Sequence, residues 1–192
     1  MIKGIDISHH NINQYKNGVI KFDDINFIIM KSSEGKSYID NEFKTYMKEI
    51  NAKNKIYGFY HYARPECNDA LSEAMHFCNT IGDLGNNALL ALDWEGNALD
   101  YSLTWALTWL HFVEMRYHKK PLFYCSASYT VKLAPILANN NGLWVAHYTK
   151  ASKPSVKVYP SYAIWQYTST PYDKDVFNGN IQQLNRYIKQ HH

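Results

Sequence analysis

The sequence predicts an α/β fold: a closed or nearly closed, TIM-like β/α barrel with about eight strands, fewer than eight helices and an irregular C-terminal third. Three observations carry this. Apolar runs without polar alternation, clearest in Phe27-Ile28-Ile29-Met30 and Ala88-Leu89-Leu90-Ala91-Leu92, mark strands buried on both faces, as in a parallel sheet covered by helices. Amphipathic segments with apolar residues at three- and four-residue steps alternate with those runs in the first half. In the second half the links are shorter than βα units need, so strands there follow one another more directly.

The first strand is expected over Ile2–Ser8 and the second over Phe27–Lys31. Phe43, Met47 and Ile50 predict a helix over Asn41–Asn51, and Ile56–Tyr62 reads as the third strand. Ala70, Ala74, Phe77 and Ile81 keep the helical rhythm over Asp69–Ile81, ahead of a fourth strand at Ala88–Asp93. Leu103, Leu107 and Leu110 open a helix over Leu103–Tyr117. Leu122–Ser126, Leu143–His147 and Tyr162–Tyr167 follow as strands, with Asp175–Phe177 as a short eighth. Ser126–Leu137 is a weaker helix with Pro135 near its end, and Asn180–Lys189 closes the chain with Ile181, Leu184 and Ile188 on one face. No Ser/Gly linker and no internal repeat divides the 192 residues, and roughly 150 residues make a domain, so one domain is expected.

Composition narrows the function. Lys+Arg 20 against Asp+Glu 17 leaves a net charge of +3, with the basic residues scattered, so a nucleic-acid partner is not expected. The apolar run Tyr101 to Val113 is too short to cross a bilayer, and the N-terminus lacks the apolar stretch of a secretory signal. Stable membrane insertion is therefore not expected, and accumulation in the cytoplasm is. Cys67, Cys78 and Cys125 form no CxxC or metal-finger spacing and read as reduced core thiols. Aromatic residues make up 15% of the chain, with 16 Tyr and 5 Trp, a surplus suited to faces that need apolar area and a polar edge together.

In a β/α barrel the functional residues sit at the C-terminal strand ends. The strongest signal there is Leu90-Ala91-Leu92-Asp93-Trp94-Glu95-Gly96. Residues two apart on a strand face the same way, roughly 6.6 Å apart. Neighbouring carboxylates push their pKa values apart, which supplies the acid and the anion of glycoside hydrolysis. The competing reading makes Asp93 a helix cap and Glu95 a solvated charge. Asp6 lies inside an apolar strand, where an unpaired charge is costly. Asp173 and Asp175 add carboxylates near the last strand, and either a charged turn or a groove accounts for them. Tyr60 and Tyr62 share one strand face and His61 takes the other. Trp144, His147, Tyr148, Trp165, Gln166 and Tyr167 form an aromatic–amide cluster that fits a sugar-stacking wall or core packing. Tyr124 fits a substrate donor or a barrel stack.

Taken together, these segments resemble the glycoside hydrolase family 25 lysozymes, the Chalaropsis-type N-acetylmuramidases that include many phage endolysins. The resemblance rests on Lys3-Gly4-Ile5-Asp6-Ile7-Ser8, Met30-Lys31-Ser32-Ser33-Glu34-Gly35, Phe59-Tyr60-His61-Tyr62-Ala63-Arg64-Pro65, Leu92-Asp93-Trp94-Glu95-Gly96, Trp144-Val145-Ala146-His147-Tyr148, Trp165-Gln166-Tyr167 and Asp173-Lys174-Asp175-Val176-Phe177-Asn178-Gly179, in that order. It implies a modified (β/α) barrel with an acidic groove that cuts the β-1,4 bond between N-acetylmuramic acid and N-acetylglucosamine. Glu95 would be the general acid, Asp93 its partner carboxylate, and Asp6 and Asp173 further groove aspartates, with Asp175 an alternative for the last. Tyr60, Tyr62, Tyr124, Trp144, His147, Trp165 and Gln166 are the expected substrate-side residues. The implied partner is the glycan strand of bacterial peptidoglycan, met by a monomer after release from the cytoplasm. No metal and no cofactor is implied. The expected organisation is a single catalytic domain over 1–192 without a separate wall-binding module. Net retention through the substrate's acetamido group is the expected course.

Two other classes are consistent with parts of the chain. Asp6, His9, His61, Asp93 and Glu95 would form a metal-dependent hydrolase if they converged. The aromatic residues alone would make a glycan-binding barrel without turnover.

Overall fold

The computed structural model describes residues 2–189. Strands β1 (Ile2–Ile7), β2 (Phe27–Glu34), β4 (Ile56–Tyr62), β5 (Leu89–Asp93), β6 (Leu122–Ser126), β7 (Leu143–Ala146), β8 (Ile164–Thr168) and β9 (Lys174–Phe177) form one closed barrel. The first seven run parallel to their neighbours from β1 through β2 to β8. β9 is antiparallel to both β8 and β1 and closes the ring between them. A short β3 (Tyr38–Ile39) hairpins back on β2 outside the barrel.

Six α-helices lie among the described residues: α1 (Ile12–Lys16), α2 (Phe43–Ala52), α3 (Ala70–Ile81), α4 (Leu103–Tyr117), α5 (Ala134–Ala138) and α6 (Ile181–Arg186). The later crossovers carry little or no helix, which is the irregular C-terminal third that the short links predict.

Strand alternation sorts the apolar residues into two cores. Inside the barrel, Phe27, Ile29, Leu89, Ala91, Leu122, Trp144, Ile164 and Phe177 pack together, with Leu184 of α6 beneath them. Outside it, Ile5, Ile28, Met30, Phe59, Leu90, Leu92, Phe123 and Val145 meet Phe43, Met47, Ala74, Phe77, Trp109 and Val113 of the helices. Gly4 is required for inner packing, since a Cβ there would lie 2.1 Å from the Phe27 ring.

Several expectations are corrected. The short helix α1 and the hairpin strand β3 are too short for the pattern to predict: α1 has no fully buried residue, with Ile12 and Tyr15 only partly buried against the outer core, and both β3 residues are exposed. The 126–137 segment divides into a 3-10 turn at Ala127–Lys132 and α5, which starts at Pro135's own first turn, where a missing N–H costs nothing. α6 ends at Arg186 rather than Lys189. Cys78 and Cys125 are buried and free, but Cys67 is exposed on the loop after β4, so it is not a core thiol.

Lys119, 2% exposed, ties the barrel floor together. Its ammonium donates to the carbonyls of Asn86 at 3.1 Å, Ala88 at 2.7 Å and Ile188 at 3.0 Å, using all three protons. Burial pulls its pKa down to about 8. Lys119→Met removes these three hydrogen bonds and should cost about 1–3 kcal/mol, read as a lower urea midpoint at unchanged slope.

Candidate active site

The inward positions at the C-terminal ends of the parallel strands are unlike those below them. Asp6 of β1, Lys31 of β2, Tyr60 of β4, Asp93 of β5, Tyr124 of β6 and Gln166 of β8 replace the aliphatic layers of the floor. Because β9 is antiparallel, its beginning lies at this same rim, and Asp173 and Asp175 arrive beside Asp6. The result is a pocket of about 280 Å³ walled by Asp6, Tyr60, Asp93, Glu95, Tyr124, Trp144, Gln166 and Asp173, with Ser8, His10, Asn11 and Tyr148 at its edge. An adjoining arm of about 630 Å³ shares Glu95, Tyr124 and Tyr148 and adds His147, Ser126 and Lys157.

The turn after β5 explains how two acids reach one cavity. Trp94 points outward and is fully buried, packing near Trp105 and Phe123 with its indole N–H donating to the Tyr129 hydroxyl at 3.3 Å. Anchoring Trp94 outside turns its neighbours Asp93 and Glu95 inward. Gly96 follows at φ +56°, where a Cβ would lie 2.6 Å from the Tyr62 hydroxyl.

Opposite them, a hydrogen-bond chain orients Asp6. Tyr124 and Tyr148 both donate to Gln166 Oε1, at 3.1 and 2.7 Å. The amide nitrogen is thereby directed to Asp6 Oδ2, to which it donates at 2.7 Å. Trp144 stands edge-on to Tyr124 and Tyr60, at centroid distances of 4.8 and 6.3 Å, and its indole N–H donates to Asp175 Oδ1 at 2.8 Å.

The electrostatics follow from burial and crowding. Burial raises the Asp93 carboxyl well above its usual range, Glu95 adds to this, and Lys31 opposes it. Asp93 Oδ1 is buried with no hydrogen-bond partner among the described residues. Glu95 stands at the solvent-open mouth, and the partial burial of its carboxyl raises its pKa, with Asp173 adding and Lys31 opposing. Burial also raises Asp173. Asp6 is raised well above the ordinary range by burial, then by Asp175 and Asp173. Lys31 is itself buried, and its ammonium is held by Glu34 Oε2 at 2.6 Å and lies 4.8 Å from the Tyr62 ring centre. Arg64 braces Glu34 in turn, at 2.6 Å from Nε and 2.5 Å from Nη2.

Asp6, Asp93, Glu95, Asp173, Tyr60, Tyr124, Trp144 and Gln166 thus share one pocket, and His147 lies in the adjoining arm. Between the two alternatives at the last strand, Asp173 lines the cavity and Asp175 lies beneath it, 1% exposed. Tyr62 sits behind the rim against Gly96, outside the cavity wall. Trp165 is a correction: it belongs to the outer core, one residue out of phase with Gln166, and its indole N–H donates to the His147 carbonyl at 2.8 Å. The metal-hydrolase set does not converge. His61 faces outward between Ser33 and Glu73, 2.8 Å from each, and His9 turns its Nδ1 to Asp40 at 2.8 Å.

Lys31 and the edge residues Ser8, His10 and Asn11 were not among the expected site residues. Lys31 had a signal, since it continues the inward phase of Phe27 and Ile29 and a lysine there must meet an anion.

A closed eight-stranded barrel with acids gathered in an aromatic-walled pocket at its C-terminal rim is the architecture of a barrel glycoside hydrolase. The sequence profile of Glycosyl hydrolases family 25 matches residues 5–176, and the chain belongs to this family. Lysozyme M1 of Streptomyces globisporus is 29% identical over 95% of this chain and 70% of its own length. The autolytic lysozyme of Clostridium acetobutylicum is 31% identical over 88% of this chain, which spans about half, 51%, of that relative. Among solved structures, the bacterial lysozyme from Streptomyces coelicolor superposes with a TM-score of 0.79 at 25% identity, covering 97% of this chain and 96% of that one.

Lys31→Met removes a cation that lowers both Asp93 and Glu95. Both carboxyls should then titrate at higher pH in carbon-detected NMR of the side-chain carboxyls. Unmoved titrations would show that Lys31 does not act on the pair.

Proposed function

We propose that this protein is a muramidase that cleaves the β-1,4 bond between N-acetylmuramic acid and N-acetylglucosamine in bacterial peptidoglycan strands. The observation that carries this reading is the placement of Asp93, Glu95, Asp6 and Asp173 around one aromatic-walled pocket. Family membership and the lysozyme relatives support it.

The roles follow from environment. Glu95, at the open mouth and raised by burial and by Asp173, keeps its proton longer than an ordinary carboxyl and gives it to the bridging oxygen. Asp93 lies deeper; burial and Glu95 raise its carboxyl while Lys31 opposes them, and its Oδ1 is free to accept. That oxygen suits the N–H of a 2-acetamido group on the bound sugar. Held so, the acetamido oxygen attacks C1 as the leaving oxygen takes the Glu95 proton, and water opens the resulting ring with net retention. Asp6 and Asp173 supply negative charge as C1 becomes cationic. Tyr60, Tyr124 and Trp144 offer faces and edges for the sugar rings.

Glu95→Gln should lower turnover on purified peptidoglycan by about 10²–10⁴-fold without loss of folding. Mass spectrometry of the wild-type digest should find reducing-end muramic acid; reducing-end glucosamine, or a near wild-type rate in the variant, contradicts the proposal. Proton NMR of the first product should show the β-anomer before mutarotation, and an initial α-anomer would exclude the acetamido route.

A further inference from the structure

The proposed reaction makes no use of Asp175, a carboxyl buried in the pocket floor. It sits on β9 beside Gly4 of β1 and points into the barrel next to Asp6. Its Oδ1 accepts from Trp144, while its Oδ2 is buried with no N–H or hydroxyl donor among the described residues. What faces Asp175 there is Asp6, two residues along β1 from Gly4 on the same inward face, and Asp175 is close enough to raise the Asp6 carboxyl. Asp6 Oδ2 is already taken by the Gln166 amide, whose direction Tyr124 and Tyr148 enforce.

We propose that Asp175 is a positioning residue that shares one proton with Asp6, so that the two carboxyls form a singly charged pair which holds Asp6 against the substrate wall. Two carboxylates side by side repel, and among the described residues no lysine or arginine hydrogen-bonds to either. Lys174, the next residue along, turns outward over the Tyr172 ring at 5.1 Å, and Lys31 acts across the barrel on Asp93 and Glu95. The groups facing the pair are Asp173 from the segment before β9, Tyr167 and Gln166 from β8, Trp144 from β7, Tyr148 after it, Tyr124 from β6 and Tyr60 from β4, with His10 lining the same pocket. None of these is a lysine or an arginine. A proton between the carboxyls turns repulsion into an O–H···O bond and satisfies the orphaned oxygen. Burial pushes Asp175 up to about 7, in keeping with a proton retained near neutrality.

Asp175→Asn is the informative variant. Its amide oxygen still accepts from Trp144, and its N–H₂ donates to Asp6 as the shared proton does, so geometry is kept while the proton is removed. Carbon-detected NMR on the free enzyme should show a carboxyl proton lost near neutral pH in the wild type and missing in Asp175→Asn, with Asp6 titrating lower in the variant. Matching titration curves for the two proteins would overturn the proposal. This arm needs no substrate, so it stands apart from the muramidase reading on which the kinetic arm rests. In the kinetic arm, Asp175→Ala should lower turnover on peptidoglycan at least tenfold at neutral pH and Asp175→Asn should restore most of it. Equal turnover in the two variants would remove Asp175 from any positioning role. If the wild type releases no reducing ends, the muramidase reading fails while the NMR result still decides the shared proton.

Discussion

Closure of the barrel by an antiparallel last strand is the constraint on which the site depends. Seven strands in parallel bring Asp6, Asp93, Tyr124 and Gln166 to one rim. They cannot bring the end of the chain there, because a parallel β9 would deliver its beginning to the floor. Running β9 backwards between β8 and β1 places residues 173–175 beside Asp6. The same reversal puts Phe177 in the floor and leads directly into α6, whose Leu184 packs under the inner core.

Gathering carboxyls in such a cavity is unfavourable unless their charge is reduced or answered. The molecule does both. Raised carboxyl pKa values leave protons in the pocket, and the buried Lys31 lies where Asp93 and Glu95 feel it. Lys31 is in turn one end of an ionic chain through Glu34 to Arg64 and Glu66 on the rim. On the opposite side Asp6 is held by neutral donors, the Gln166 amide directly and two tyrosines behind it. Asp93 and Asp6 therefore experience different surroundings within one pocket.

Outside the barrel, polar groups serve architecture. His61 bridges Ser33 and Glu73 between β2, β4 and α3, and burial lowers its pKa, so a neutral imidazole joins sheet to helix. Asp69 caps α3 through Ser72 N–H at 2.9 Å, and Ser102 caps α4 through Thr104 N–H at 3.2 Å. These contacts hold the elements that carry the rim residues without touching the cavity.

The sequence by itself determined the period of the elements and the chemistry of the rim. Strands at Phe27, Leu89 and Leu122 were legible because burial on both faces leaves no polar residue to interrupt them. The helix Leu103–Tyr117 was legible from its apolar spacing, and Asp93 and Glu95 from their position at the end of such a strand. Local pattern was silent where an element is too short to show a period, as in the five-residue α1 and the two-residue β3. It was also silent on facing: Trp165 and Gln166 are adjacent and equally plausible in composition, yet strand phase sends one to the outer core and the other to the pocket. Only the tertiary structure decided that Asp173 lines the cavity while Asp175 lies under it against Trp144 and Asp6, because the register of β9 with β1 is set by contacts more than 160 residues apart in the chain.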